Sequence, residues 1–376
     1  MKELHFALIG GGFMGKAHSL GLASLPMYVW PPAAMPQRTV IAEATPELAE
    51  TARQRFGFAR GVVGWQEVVA DPEVEVVDIL LPNNMHREVV LAALGAGKHV
   101  ICEKPLGLTG TEAKELWEAA RASGLKHQVG FNWRLAPAVQ MARRLIDDGA
   151  LGAIRSFRGY WLADFGLNPD APLTWRHQKA VAGYGTLGDL GSHVIDMARY
   201  LVDEISEVCG YSEIVVKERP VPGGTGKKQV DVDDNTAFML RFENGAFGYM
   251  EATQFSPGRS THIGFEVYGE RGAITFVWER MNELQFYSSD DPADRQGFRT
   301  IFTGPAHPFG EFFWPIPAYQ IGYAETKMLQ LNDMVTAVAT GGDVQTSFYD
   351  GWKNCQVLDA VVHSADERAW VAVKAG

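Results

Sequence analysis

At 376 residues, with 46% hydrophobic and 21% charged side chains, the chain has the composition of a globular protein long enough for two cored domains, which excludes disorder and collagen-like repeats. Its formal net charge of −11 argues against a general binder of nucleic acid or anionic membranes, because both need a basic surface. Cys102, Cys209 and Cys355 are scattered and lack CxxC spacing, so neither a disulfide framework nor a zinc site is expected. The first apolar run, Phe6 to Ile9, is too short for a signal-peptide core and no stretch approaches a membrane span, so the chain reads as cytoplasmic.

From Leu4 to about Gly130, apolar runs alternate with helical patterns. "HFALIG" leads into a helix, "TVIAEA" into one starting at Pro46, "VVDILLP" into "HREVVLAALGAG", and "KHVICEKP" into "GTEAKELWEAARASG", while "KHQVGF" closes the series. This alternation predicts parallel βαβ units with right-handed crossovers, hence an α/β fold with a doubly wound sheet. Gly97 and Gly124 end helices as left-handed caps. After a helix over Pro137 to Asp147 the segments become longer and strand-like: "AIRSFRGYWLA", "NTAFMLRFENGAFGYMEATQF" and "GFEVYGERGAITFVW". Hairpin signals at Asn244-Gly245 and Glu270-Arg271-Gly272 make this half a mainly antiparallel sheet. "PGGTGKKQ" and "SDDPADRQG" read as polar loops, and helical patterns around Glu325 to Ala339 and Gly351 to Ala369 close the chain. The expected division is a doubly wound domain over 1–130 and a second α/β domain over 131–376, whose C-terminal helices can pack back on the first.

Gly10, Gly12 and Gly15 fit G-x-G-x-x-G between a strand and a helix, where backbone N–H groups and the helix dipole favour a pyrophosphate. Gly10 permits the tight turn, Gly12 the approach of phosphate, and Gly15 close helix–strand packing; taken alone, the motif also occurs as an ordinary glycine-rich loop. Glu43, ending the second strand, is the acidic partner that accepts ribose hydroxyls and repels a 2′-phosphate, favouring NAD over NADP. It comes later than the usual ~20 residues after the glycines, a delay ascribed to a proline-rich insertion, "SLPMYVWPPAAMPQR". A solvated strand-end glutamate is the plainer alternative.

Two more segments carry chemistry. "KHVICEKPLG" places Glu103, Lys104 and Pro105 at the C-terminal end of a buried strand, the edge where doubly wound sheets bind ligands. "GYGTLGDLGSHVIDMARYL" spaces Asp189, His193 and Asp196 at i, i+4 and i+7, on one helical face, and Gly185, Gly188 and Gly191 leave room for another group to approach the backbone. A lone histidine is more often packed and satisfied; two carboxylates on its face turn the reading toward proton transfer.

Together "IGGGFMGKAH", "ATPELA", "HVICEKPLGLT", "GFNWR" and "GDLGSHVIDMARYL", in this order over nearly the whole chain, resemble the glucose-fructose oxidoreductase, inositol dehydrogenase and MocA family. "PLTWRHQKAVAG" and "FRTIFTGPAHPFGEFFWPIP" are similar to its branch of NAD-dependent glycoside dehydrogenases. The resemblance implies a Rossmann domain, then an α/β domain whose open sheet face serves in homodimers or homotetramers, with NAD as cofactor. The implied reaction oxidises a secondary hydroxyl of a neutral sugar or polyol, a levoglucosan-like anhydrosugar or glucoside oxidised at C3 being the leading substrate. Two positions depart from the family pattern: Glu43 stands where Asp is usual, and Trp133 where Tyr is frequent.

The implied cofactor contacts are Gly10, Gly12, Phe13, Met14, Gly15, Glu43, Pro82, Asn83, Asn84, His86, Glu103, Lys104 and Arg176. His193, with an ordinary imidazole pKa of about 6.5, is the implied base. Asp189 would orient substrate or imidazole, and Lys104 would stabilise developing alkoxide; whether Lys104 or His193 takes the proton first stays open. Substrate contacts are expected from Asn132, Trp133, Tyr160, Asp164, Trp175 and Gln178 beside Lys104, Asp189 and His193, a mixture of aromatic faces and directed polar groups that suits a sugar. Trp161, Trp314 and Arg134 lie in the same segments, Asp196 is expected as a structural partner, and His18 as a buried helix-packing residue. No metal is expected, since His177, His307 and His363 lack paired carboxylates at ligand spacing. An inositol dehydrogenase, an NAD-dependent glycosidase working through transient oxidation, and a cofactor sensor without turnover are the alternatives; Lys104, Asp189 and His193 together disfavour the last.

Overall fold

The apolar run at the N-terminus forms β1 (Glu3–Ile9), and its near-continuous burial is what a parallel strand covered on both faces requires. The computed structural model describes residues 1–374, so the last two residues of the expected second domain, 375 and 376, lie outside the described residues. After β1 come α1 (Phe13–Tyr28), β2 (Met35–Glu43), α2 (Pro46–Phe56), β3 (Arg60–Val63), α3 (Trp65–Ala70), β4 (Val76–Ile79), α4 (His86–Gly95), β5 (His99–Cys102), α5 (Gly110–Ser123) and β6 (His127–Val129). Local chemistry sets the helix ends: Thr45 and Thr109 accept hydrogen bonds from Leu48 N at 3.3 Å and Glu112 N at 3.1 Å, and Gly57 and Gly124 take left-handed caps. The six strands are parallel in the order β3-β2-β1-β4-β5-β6. Because the order reverses at β1, the loops leaving β1 and β4 diverge and open a crevice at the C-terminal edge of the sheet.

Two expectations change here. The proline-rich stretch is not an insertion: Ser24 to Tyr28 belongs to α1, Pro26 included, and Met35 to Arg38 to β2, leaving only residues 29–34 as connection. Glu43 comes late because α1 has 16 residues and β2 nine. The elements β3 and α3, four and six residues long, were too short for periodicity to register.

The chain divides into two units, Met1–Asn132 with Ile321–Lys353, and Trp133–Gln320 with the residues from Asn354 on. In the first unit the helix Tyr323–Thr340 packs along α1, and Gly21 lies where any Cβ would meet Leu331.

The second unit contains α6 (Pro137–Asp147), β7 (Ile154–Leu162), α7 (Lys179–Ala182), α8 (Ser192–Leu201), β8 (Ile205–Glu213), β9 (Glu218–Pro220), β10 (Lys227–Gln229), β11 (Asn235–Phe242), β12 (Phe247–Thr253), β13 (His262–Gly269), β14 (Gly272–Val277), β15 (Glu283–Ser288), β16 (Arg299–Phe302) and β17 (Val371–Ala372). Nine of these strands form one sheet in the order β16-β15-β14-β13-β7-β12-β11-β8-β17, antiparallel except where β12 meets β7. Its strands alternate buried and exposed residues, as in β11, so one face is covered and the other open. β9 and β10 pair separately, which places Lys227 to Gln229 of the expected polar loop in a small ribbon.

The helices α6 and α8 lie on the covered face. Gly159 of β7 meets the Val194 side chain so closely that no Cβ fits, which lets α8 settle against the sheet. Asp196 of α8 pairs with Arg134, whose Nε donates to Oδ2 at 2.9 Å and whose Nη2 meets Oδ1; both residues are buried. Removing one member of a buried pair strands the other charge, at about 3 to 5 kcal/mol. Asp196→Ala is therefore expected to lower the unfolding free energy by about that amount, read from the shift of the urea midpoint, whereas an unshifted midpoint would show that Arg134 finds another partner.

Candidate active site

The loops that follow β1, β2, β4 and β5 gather at the C-terminal edge of the parallel sheet. Gly10 has φ 107°, and a Cβ there would come within 2.8 Å of the Leu80 carbonyl oxygen; at Gly15 a Cβ would strike the carbonyl of Gly10. These two glycines are thus demanded by the turn and by helix–strand contact. Gly12 differs, because a Cβ there would meet nothing within 4 Å. It caps a 16-residue helix with no acidic residue in its first turn, so its open space faces the positive end of a helix dipole. Beside it, Glu43 Oε1 accepts the Gly11 N–H at 2.5 Å, which holds a carboxylate next to the glycine turn. An open cradle at a helix N-terminus with an adjoining carboxylate is the donor and acceptor set that a dinucleotide's pyrophosphate and adenosine ribose need, so these residues fit NAD. Tyr323 extends the cradle: its ring stacks on the exposed Phe13 with centroids 6.0 Å apart, and its hydroxyl lies 3.6 Å from Met14 Sδ. Sequence reading missed Tyr323, because it lies in the C-terminal part of the chain.

After β4, Pro82, Asn83 and Asn84 lead into α4, with Asn84 exposed and Asn83 buried. His86 follows at the start of α4. Its ring is fully buried between the loops after β4 and β5, with Nδ1 3.0 Å from the Pro105 carbonyl oxygen and Nε2 3.1 Å from that of Leu81; in the neutral form its single N–H donates to one of the two. Burial pushes its pKa down. The Glu103 carboxylate is buried and receives Lys327, Nζ to Oε1 2.7 Å. Lys104, the next residue, is half-buried. Asn132 is buried, and its amide donates to Thr326 Oγ1 at 2.8 Å.

In the second unit, His193 is the second residue of α8, which starts directly after a π-helical turn at Leu187–Gly191, a distortion frequent at functional sites. Asp233 stabilises this start: its carboxylate accepts from Gly185 N at 2.9 Å and Leu187 N at 2.7 Å. The close approach at Gly185 is accordingly filled by the backbone of residue 233. Asn354 Nδ2 donates to the Ser192 carbonyl at 2.7 Å, fixing the residue before His193. The His193 ring lies against Trp133 and Trp161, with centroids 5.6 and 5.3 Å away, and Trp278 packs on Trp133 at 3.7 Å. Trp161 Nε1 is buried there without a hydrogen-bond partner. Asp189 faces Arg176 at 3.6 Å, and Arg176 stacks over Trp175 at 4.3 Å. Gln178 receives Lys228 Nζ at 2.8 Å, and Asp164 and Trp314 lie farther along the same unit, Trp314 exposed.

Tyr160 lies on the sheet face opposite His193. Successive strand residues point to opposite faces, and Trp161 takes the face of His193, so Tyr160 takes the other, stacked on His262 at 5.0 Å. Trp278, in the turn after β14, is the aromatic that the sequence reading did not single out.

Residues 4–131 match an oxidoreductase family with an NAD-binding Rossmann fold, and residues 139–275 match the GFO/IDH/MocA C-terminal domain. The chain belongs to the Gfo/Idh/MocA family of NAD-binding oxidoreductases. It is 50% identical over 385 residues to levoglucosan dehydrogenase of Pseudarthrobacter phenanthrenivorans, covering 99% of each chain. A solved structure of levoglucosan dehydrogenase in complex with NADH and levoglucosan is similar with a TM-score of 0.96 at 50% identity, over 99% of this chain and 100% of that one. An NAD binding oxidoreductase from Klebsiella pneumoniae, 34% identical, has a TM-score of 0.95 over 100% of both chains. No helix among the described residues is long and apolar enough to cross a membrane.

The Glu43 carboxylate beside the glycine turn generates a cofactor prediction. Glu43→Ala is expected to weaken NAD binding by about 1 to 3 kcal/mol, the scale of a hydrogen bond to a charged group, and to narrow the preference over NADP. Kd values for both dinucleotides check it; an unchanged NAD/NADP ratio would remove Glu43 from cofactor choice.

Proposed function

We propose that the protein oxidises a secondary hydroxyl of a neutral pyranose-like sugar, with levoglucosan or a related glucoside as substrate and C3 as the position oxidised. The observation that carries this reading is the setting of His193 in the second unit. It combines the rings of Trp133 and Trp161 with a buried, unpartnered indole N–H, which suits a sugar: C–H groups pack on aromatic rings, and hydroxyls supply the missing acceptor. Full-length 50% identity to a levoglucosan dehydrogenase supports it. NAD, when bound, supplies the two-electron acceptor for the carbon being oxidised. We assign the hydroxyl proton to His193 and the hold on the reacting oxygen to Lys104, whose positive charge stabilises alkoxide as it develops. Asp189, paired with the half-exposed Arg176, orients the substrate. The glycine turn, Glu43, Phe13 and Met14 hold the dinucleotide, with Tyr323 added to that set.

The same reading extends to assembly. Tyr211, Met239, Phe247 and Tyr249 are exposed on the open sheet face, where Met239 pairs across strands with Tyr249 and Tyr249 with Arg158. We infer that a second copy covers this apolar face, giving a homodimer or its tetramer. Phe247→Glu is expected to lower the mass measured by light scattering on a sizing column; an unchanged mass would place the interface elsewhere. Free cysteines at Cys102, Cys209 and Cys355 support a reducing, cytoplasmic setting.

The function is tested by comparing kcat/KM with NAD for levoglucosan, simple glucosides, inositols, gluconate and a sugar phosphate, in wild type and His193→Ala. The neutral sugars are expected to lead, with NADH accumulating, and His193→Ala to lower kcat by about 10²-fold or more while the Kd for NAD is kept. Preference for the acid or the phosphate would overturn the neutral-sugar reading, and unchanged kcat in His193→Ala would overturn its role.

A further inference from the structure

Glu103 immediately precedes Lys104, and its burial is the unusual feature of this sheet edge. The carboxylate lies against Gly130, where a Cβ would come within 2.8 Å of both oxygens, so it occupies the space of a side chain. Oε1 receives Lys327 Nζ at 2.7 Å and lies 3.3 Å from His18 Nε2, while Oε2 accepts the backbone N–H of Lys104 at 3.2 Å. His18 Nδ1 lies 2.6 Å from Asp78 Oδ2 on β4, and Lys327 Nζ also donates to Gln330 Oε1 at 3.3 Å. All four ionisable groups are buried, His18 and Asp78 completely.

Their charges compensate. Burial alone would lower the pKa of His18, but the charge of Asp78 and the hydrogen bonds to Asp78 and Glu103 outweigh both burial and Lys327 and raise it. Burial alone would raise the pKa of Glu103, but the Lys327 charge and the His18 contact hold it well below the carboxylate range. Two carboxylates thus face an ammonium and an imidazole; of the other titratable groups that feel the Glu103 charge, Tyr323 has its pKa pushed up by burial and by that charge, and His86 has its pKa pushed down by burial against it. Buried ion pairs are often replaceable by apolar side chains of equal volume at no loss of stability, so such a cluster is a poor device for stability alone. What it does is leave Glu103 one orientation, with Oε1 committed to the cations and Oε2 aimed at the peptide N–H of Lys104.

We propose that His18, Asp78 and Lys327 position Lys104 through Glu103, Lys327 being the positioning residue that this reaction draws from 224 residues beyond Glu103 in the chain. The proposal rests on the assignment of Lys104 to the reacting oxygen. Lys327→Met, Lys327→Arg, Glu103→Asp and Lys104→Ala are compared with wild type across pH, using NAD and the sugar of highest kcat/KM, with the His18 imidazole followed by NMR. Lys327→Met is expected to lower kcat about tenfold or more with KM for NAD changed less than about threefold, since an interaction of the reacting state is lost. His18 should keep its proton to higher pH in that variant, because the opposing Lys327 charge is gone. Lys327→Arg should recover most of kcat, and Glu103→Asp, which keeps every charge but shortens the reach, should lower it. Unchanged kcat in folded Lys327→Met or in Glu103→Asp overturns the proposal, as does an equal loss in Lys327→Met and Lys327→Arg with the His18 titration unmoved. If Lys327→Met does not fold, Glu103→Asp and Lys327→Arg decide by the same kcat criteria. Full activity in Lys104→Ala defeats the Lys104 assignment itself, whereas an inactive Lys104→Ala beside an unimpaired Lys327→Met defeats only the positioning role.

Discussion

A carboxylate buried at the end of a parallel strand is tolerable only if a cation is brought to it, and the contact between Glu103 and Lys327 meets that condition. Parallel strands covered on both faces leave no polar surface except at their ends, so whatever chemistry the first unit holds must sit at one edge. There the chain from Glu103 to Pro105 is gripped from two sides. The ion pair orients Glu103, and the His86 ring spans the Pro105 and Leu81 carbonyls. The half-buried Lys104 lies between two fixed neighbours, which limits how far its backbone can wander.

The second unit solves a different problem. An antiparallel sheet covered on one face can seat a helix tightly only where side chains give way, and Gly159 does so beneath Val194. The Arg134–Asp196 pair, the Asn354 amide on the Ser192 carbonyl and the Asp233 carboxylate at the π turn then fix α8 along its length. His193 is therefore carried by a helix held at its start and at its middle, and the tryptophans around it keep water from its flanks.

Much of this was legible in the sequence because it is local. Strand–helix alternation, threonine and glycine caps, the glycine turn and the hairpin at Asn244-Gly245 each depend on residues a few positions apart, and the fold class follows from them. The family motifs did the same for NAD and for sugar oxidation. What local pattern could not show was where side chains point. Glu103, His86 and Asn132 sit in motif segments at the right edge, yet their polar atoms are spent on Lys327, on two backbone carbonyls and on Thr326. Tyr160 and Trp161 are neighbours in sequence and opposites in space, and only pairing with β12 and β13 tells which faces His193. The late position of Glu43 misled for a related reason, since a proline inside a helix reads as a loop when packing is unseen.

The segment 321–353 supplies Lys327, Thr326 and Tyr323 to the first unit, although in the chain it follows nearly all of the second. The nucleotide-binding unit is consequently not a contiguous stretch of gene. An exchange of N-terminal modules between relatives at residue 132 would transfer Glu103 without its counter-charge and the Asn132 amide without its acceptor. Recombination in this architecture has to move two separated pieces together, or to keep a lysine waiting on the far side of the junction.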